Sequence, residues 1–288
     1  MKPEKSKTRI FLDSGDPFET KEIIQSLGSL AGQTTNPTLV SRNPYAQKRF
    51  AAGEKFTAEE IFDFYKKIVT EISGLIPSGS VSIEVYADKN TTAEQMIKQA
   101  REFFRWIPNA HIKLPITAEG LKAAEQLTEE GVRLNLTLCF TQQQAAAVYA
   151  ATRGAGKGDV FVSPFVGRLD DQGENGMDLI KNLIEMYAAG DGHVEIISAS
   201  IRNFDHFLAT LKLGADIATV PYKILKEWAA AGANIPGSDY IYPAGGFQPI
   251  PYENFDFLNK DWHSFDLRHN LTDAGMEKFS QDWNSLIG

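Results

Sequence analysis

Eight short runs in which apolar residues alternate with polar or reactive ones, nearly all of them leading into a helix start, constrain this chain more than any other feature. They fall at 9–13, 31–35, 81–86, 110–114, 132–138, 159–163, 193–199 and 215–220. In RLNLTL, Leu134, Leu136 and Leu138 share one face of a strand while Arg133, Asn135 and Thr137 share the other, because successive side chains point to opposite sides. Ile112 and Leu114 oppose Lys113 in the same way. Val81, Ile83 and Val85 oppose Ser82, Glu84 and Tyr86, and Ile10 and Leu12 oppose Arg9, Phe11 and Asp13. Capping signals stand at Asp16-Pro17 with Glu19, Thr57 with Glu60, Thr91 with Glu94, Thr117 with Glu119 and Thr141 with Gln144. Eight βα units in 288 residues predict one α/β domain over 1–288, a single closed (β/α)8 barrel of the TIM type. An open doubly wound sheet, the alternative, usually has fewer strands and one switch point, whereas here polar residues end nearly every strand.

The stretch 232–270 breaks the rhythm: Pro236, Pro243, Pro249 and Pro251 interleave with Tyr240, Tyr242, Phe247, Tyr252, Phe255, Phe257, Trp262 and Phe265. It reads as an ordered, irregular excursion, since long loops in compact domains tend to be lids, interfaces or packed Ω-loops. Its aromatics are expected either to cover the barrel mouth or a subunit interface, or to clasp the outer barrel surface. A C-terminal helix is expected over 272–286, with Met276, Phe279, Trp283 and Leu286 at helical spacing as a packing stripe.

Thirty-seven acids against 29 bases give a net charge of −8, a field that repels nucleic acid and anionic membrane but leaves room for a local basic pocket holding a small anion. Cys139 is the single cysteine, so no internal disulfide forms, and MKPEKSKTR is charged with no apolar leader. A reducing cytoplasm is the expected compartment. No apolar run is long enough to span a membrane. The five histidines show no metal-ligand spacing and Cys139 has no CxxC partner, so no metal is expected. GAGKGD at 154–159 lacks the full phosphate-loop pattern and precedes a strand, which makes it a turn.

A lysine between apolar residues on a strand is expensive to bury unless neutral or paired, and a neutral amine attacks ketones to form a Schiff base. Lys113 fits that description, with a strand-end lysine that snorkels to water as the ordinary alternative. Asp13 ends the first run, where Asp16 already serves as the following cap, and is a candidate general acid/base. Glu84 is a carboxylate among apolar neighbours, catalytic or simply a paired interior charge. Asn135 and Thr137 face one way, ready to hold one ligand or to satisfy each other. Arg168 and Arg202 follow runs six and seven, near Ser163 and Ser200, and together suit a phosphate clamp; solvated surface arginines are the alternative.

These segments together resemble the transaldolases, class I Schiff-base enzymes on a (β/α)8 barrel. The resemblance runs from about residue 9 to 230 through FLDS, GQTTNPTLV, VSIEV, IKLPIT, EEGVRLNLTLCFT, FVSPFVGRLDD, SASIRN and GADIATVPYKIL, with LTDAGMEKFSQDW near the end. It implies that Lys113 forms the Schiff base, that Asp13 is the acid/base at the bond-cleaving hydroxyl, and that Glu84 and Thr137 position a catalytic water. It further implies phosphate contacts at Arg168, Ser200 and Arg202, contacts to the sugar and the covalent intermediate from Asn36 and Asn135, and a pocket wall of Ser163 and Phe165. The activity implied is transfer of a dihydroxyacetone unit between sugar phosphates in the pentose phosphate pathway, without cofactor or metal; a homo-oligomer is left open. Fructose 6-phosphate aldolase-like relatives, which release dihydroxyacetone instead, carry glutamine and tyrosine where this chain has Glu84 and Phe165, so the transferase is favoured. A non-catalytic sugar-phosphate-binding barrel is the remaining alternative, and the joint presence of Lys113, Asp13 and Glu84 argues against it. The family pattern departs at Ser14, where threonine is common, and at 232–270, which has no counterpart in compact members.

Overall fold

A computed structural model describes residues 7–288. The N-terminal residues 1–6, part of the charged start noted above, lie outside the described residues. The first half of the chain runs β1 (Arg9–Asp13), α1 (Pro17–Leu27), β2 (Gly32–Thr34), α2 (Pro37–Ser41), α3 (Pro44–Ala51), α4 (Ala58–Leu75), β3 (Ser80–Glu84), α5 (Ala93–Phe104), β4 (Ala110–Pro115), α6 (Ala118–Glu129) and β5 (Leu134–Cys139). It continues with α7 (Gln142–Ala151), β6 (Val160–Pro164), α8 (Val166–Asp170), α9 (Gly176–Tyr187), β7 (Val194–Ser198), α10 (Phe204–Leu213), β8 (Ile217–Pro221), α11 (Tyr222–Ala230) and α12 (Asn270–Ser285). The strands are all parallel and close in sequence order, β8 pairing β1. This is the expected (β/α)8 barrel.

The alternation sorts side chains between two cores. Ile83, Ile112, Leu114, Leu134 and Leu136 are fully buried between the sheet and the helix ring. The other face fills the lumen, and aromatic packing closes its lower end: Phe11 meets Phe161 edge-on at 6.0 Å, and His111 stacks on Phe161 at 4.2 Å. Burial pushes His111 down to about 3. Above this plug the lumen is polar.

Helix starts follow the capping chemistry, with one correction. Thr57 and Thr141 form capping boxes with Glu60 and Gln144, and Asp16 caps α1 through the Phe18 N–H. For α5 the box is Thr92 with Gln95, not Thr91 with Glu94. Thr91 instead donates to Asp88 Oδ1 at 2.9 Å, closing the preceding turn, so the helix begins one residue later. Glu119 sits in the first turn of α6 but accepts the Ala93 N–H of α5 at 2.6 Å, tying two helix starts together.

The segment 232–270 is irregular apart from one 3-10 turn at Trp262–Ser264. It lies along the outside of α7 and α9. Phe257 packs against Tyr149 and Tyr187, Gln142 donates to the Pro251 carbonyl at 2.9 Å, and Asn182 donates to that of Ile250 at 2.9 Å. The mouth is covered instead by α12, which packs on α2 and β5. No helix among the described residues is long and apolar enough to cross a membrane.

Candidate active site

The register of the barrel gathers the reactive residues at one height. Lys113 of β4 stands opposite Glu84 of β3 on one side and Asn135 of β5 on the other, and partners in parallel register point the same way. Lys113 Nζ donates to Glu84 Oε2 at 2.8 Å, and the two side chains are 4% and 5% exposed. The lysine therefore does not snorkel. Burial raises the Glu84 carboxyl above its usual range, partly offset by Lys113 and by the more distant Arg168.

Asp13 ends β1 and accepts the Thr34 hydroxyl at 2.7 Å. Its carboxyl is likewise raised by burial, against the opposing pull of Lys113, the Thr34 hydrogen bond and Arg42. A carboxyl raised by burial at the rim holds its proton to higher pH than a free aspartate and is a stronger proton acceptor.

Asn135 and Thr137 do not satisfy each other. Asn135 donates to Ser82 at 3.0 Å and accepts from Ser163 at 2.7 Å, which holds its amide between two hydroxyls. The Thr137 hydroxyl is buried and makes no hydrogen bond among the described residues. Such a group costs about 1–3 kcal/mol unless something binds it. A cavity of about 10 Å³, the size of one water, opens beside Glu84 beneath Phe279 and Met276 of α12.

Over the lysine lies a mouth cavity of about 340 Å³, whose lining includes Asp13, Asn36, Lys113, Ser163, Phe165, Arg168, Ser200 and Arg202. Asn36 caps α2, its Oδ1 accepting the Leu39 N–H at 2.9 Å, which orients its amide and leaves the nitrogen free to donate to a ligand. The Arg168 guanidinium makes no ion pair or hydrogen bond among the described residues; it lies over the rings of Phe165 and Phe279 at 5.2 and 5.4 Å. Desolvation, followed by repulsion from Arg202, lowers its proton affinity. Ser200 takes a left-handed backbone, φ 58°, at the turn after β7, and its carbonyl accepts the Gly167 N–H at 3.1 Å. Glycine is needed at 167: a Cβ there would fall 2.3 Å from Arg202 Cγ. The two arginine-bearing turns thus interlock.

The cavity also has walls that the sequence did not announce. Thr34, Thr219, Arg42, Lys278 and Phe279 line it. Phe279 belongs to the stripe read above as packing, yet its ring centre is 5.7 Å from Lys113 Nζ. Helical periodicity identified the apolar face of α12 but not what that face covers. Thr34 could have been found from its place in GQTTNP, at the end of β2 beside Asp13.

A larger groove of about 560 Å³ runs outside the barrel beside Phe18, Tyr45, Phe56 and Phe64, and none of the lumen residues reaches it.

Residues 10–288 match the family model described as Transaldolase/Fructose-6-phosphate aldolase. A probable transaldolase of Dehalococcoides mccartyi is 37% identical over 278 residues, 96% of this chain and 99% of that protein. A probable transaldolase of Alkaliphilus metalliredigens is 37% identical over 279 residues, 97% of this chain and 99% of that one. A third, from a Thermoanaerobacter strain, is 36% identical over 275 residues and 96% of each chain. The chain belongs to the transaldolase/fructose-6-phosphate aldolase family.

Proposed function

We propose that this protein is a transaldolase, moving a dihydroxyacetone unit from a ketose phosphate such as fructose 6-phosphate or sedoheptulose 7-phosphate to an aldose phosphate such as erythrose 4-phosphate or glyceraldehyde 3-phosphate. The observation that carries the reading is the buried Lys113–Glu84 pair, which opens on a cavity rimmed by Arg168 and Arg202.

Glu84 accepts a proton from Lys113, directly or through a water held by Thr137, leaving an amine that attacks the donor ketone. Loss of water from the carbinolamine gives the Schiff base. Asp13 then takes the C4 hydroxyl proton, the C3–C4 bond breaks, and its electron pair passes into the iminium as the aldose phosphate leaves. The remaining three-carbon enamine attacks an incoming aldose phosphate, Asp13 returns the proton to the new alkoxide, and hydrolysis frees the ketose and Lys113. Arg168, Ser200 and Arg202 hold the phosphate at the far end of the cavity, fixing the reacting carbons over the lysine.

Glu84 and Phe165, at the positions where aldolase-type relatives carry glutamine and tyrosine, favour transfer over release. We place the reaction in the cytoplasm, within the pentose phosphate pathway, on the strength of the single buried cysteine and the family.

The test follows products over time with fructose 6-phosphate alone and with erythrose 4-phosphate, using Lys113→Met as control. Sustained glyceraldehyde 3-phosphate and sedoheptulose 7-phosphate only with acceptor support a transaldolase. Free dihydroxyacetone accumulating without acceptor would overturn it in favour of an aldolase.

A further inference from the structure

Two arginines side by side at one mouth repel each other, so something must hold them together before an anion arrives. Among the described residues, the guanidinium of Arg202 makes only an exposed ion pair to Asp171, at 2.9 Å. Such a contact is worth about 1 kcal/mol or less. The stronger hold comes from behind. The Arg202 backbone N–H donates to Nδ1 of His206, at 3.2 Å, which leaves the ring proton on Nε2, 2.6 Å from Oδ2 of Asp170. His206 and Asp170 are only 1% and 11% exposed.

Asp170 ends α8, the turn that carries Arg168, and its Oδ1 also accepts the Gly176 N–H of α9 at 2.9 Å. The His206–Asp170 contact therefore bridges the turn bearing one arginine and the turn bearing the other. A third member comes from the irregular segment 232–270: the Tyr242 hydroxyl donates to Asp170 Oδ2 at 3.3 Å, and the neighbouring Tyr240 hydroxyl donates to the Asp205 carbonyl at 3.0 Å.

We propose that Tyr242, Asp170 and His206 form a positioning relay that fixes the spacing of Arg168 and Arg202, and that the 232–270 segment acts on phosphate affinity through it. None of the three lines the mouth cavity. They set the geometry of groups that would touch substrate. The inference rests on the reading above that these arginines receive a substrate phosphate.

The experiment compares the parent enzyme with His206→Ala, His206→Asn and Tyr242→Phe in three readouts: KM for fructose 6-phosphate, inhibition by inorganic phosphate, and the rate of borohydride trapping of dihydroxyacetone, which has no phosphate, on Lys113. His206→Ala should raise KM and the phosphate inhibition constant by roughly tenfold, chiefly the effect of losing the buried hydrogen bond to Asp170, while trapping stays within about twofold of the parent. His206→Asn, whose amide oxygen can stand in for Nδ1 but whose shorter side chain does not reach Asp170, should leave most of the loss in place. Tyr242→Phe should shift KM and the inhibition constant by about threefold in the same direction. If His206→Ala fails to fold, the other two variants carry the test. Equal losses in all three readouts, or folded variants with parental KM and phosphate inhibition, would overturn the relay alone. A parent enzyme indifferent to phosphate would overturn both the relay and the function on which it rests.

Discussion

Lys113 Nζ lies 2.8 Å from Glu84 Oε2, with both side chains almost wholly out of water. A pair buried this far is weak evidence for stability, because desolvation cancels most of its attraction. Its value is chemical: an acid raised by burial beside an amine can take the amine's proton. Glu84→Gln keeps the shape and loses the base. We expect kcat to fall by roughly a hundredfold or more, and borohydride trapping of a ketose phosphate to slow in parallel. Lys113→Met should abolish trapping outright. Trapping at the parental rate in Glu84→Gln would remove Glu84 from the proton path.

Thr137 separates folding from function. Its hydroxyl is buried and unpartnered among the described residues, so Thr137→Val deletes a polar atom without breaking a hydrogen bond there. Stability should be unchanged or raised by about 1 kcal/mol, while kcat falls by about tenfold or more if the hydroxyl holds the water used in forming and hydrolysing the Schiff base. Thermal melts and steady-state kinetics on one preparation decide it. A destabilised variant with parental kcat would make the hydroxyl structural.

Arg168 is desolvated, makes no salt bridge or hydrogen bond among the described residues, and lies over two phenyl rings, an expensive arrangement for a cation that serves only itself. Arg168→Met should raise KM for fructose 6-phosphate by about ten- to a hundredfold, as expected for a charge-assisted hydrogen bond of about 1.5–3 kcal/mol. Dihydroxyacetone trapping on Lys113 should be spared. A fall in trapping of the same size would show that Arg168 supports the lysine rather than the phosphate.

The docking of α12 makes a second demand on this region. Gly275 sits against the end of β5, where a Cβ would come 2.4 Å from Arg168 Nη1 and 2.5 Å from Leu138 Cδ2. Leu138 itself is held at φ 62°, and its carbonyl accepts the Thr272 hydroxyl at 2.9 Å. Gly275→Ala should therefore raise KM by displacing Arg168 or Phe279, with the overpacking offset in part by the ~1 kcal/mol that alanine gains over glycine inside a helix. A variant with unchanged melting temperature and KM would mean that the helix shifts freely.

Why the lumen was legible in sequence while its lid was not has a physical reason. Strand alternation fixes which side of the sheet Lys113, Glu84 and Asp13 occupy, and the end of a barrel strand fixes their height, so three local patterns converged on one place. Arg168 and Arg202 were visible because they follow strand ends directly. Phe279, Lys278 and Arg42 were not, because they reach the mouth from helices whose destination depends on packing between distant segments. The same holds for Tyr242 and His206. Their partner Asp170 lies 72 and 36 residues away, beyond the reach of any periodicity.

Asp13 offers a test in which stability and activity should move in opposite directions. Burial is the largest influence on its carboxyl and raises it, so the folded state holds that proton to higher pH than the unfolded chain does. Between the ordinary value of 3.8 and the raised one, folding takes up a proton, and stability falls as pH rises through that window. Above it the cost is constant. An asparagine in its place would keep an acceptor for the Thr34 hydroxyl and carry no such titration, and removing the charge also eases Glu84, whose carboxyl Asp13 helps to raise. Asp13→Asn should melt about 2–4 °C above the parent at about pH 8, the effect of about 1 kcal/mol in a domain of this size, with the difference shrinking toward about pH 4. Its kcat should fall by about a hundredfold or more if Asp13 is the proposed base at the C4 hydroxyl. A melting difference independent of pH, or a less stable variant at the higher pH, would mean that attraction from Lys113 and Arg42 outweighs the burial of the charge.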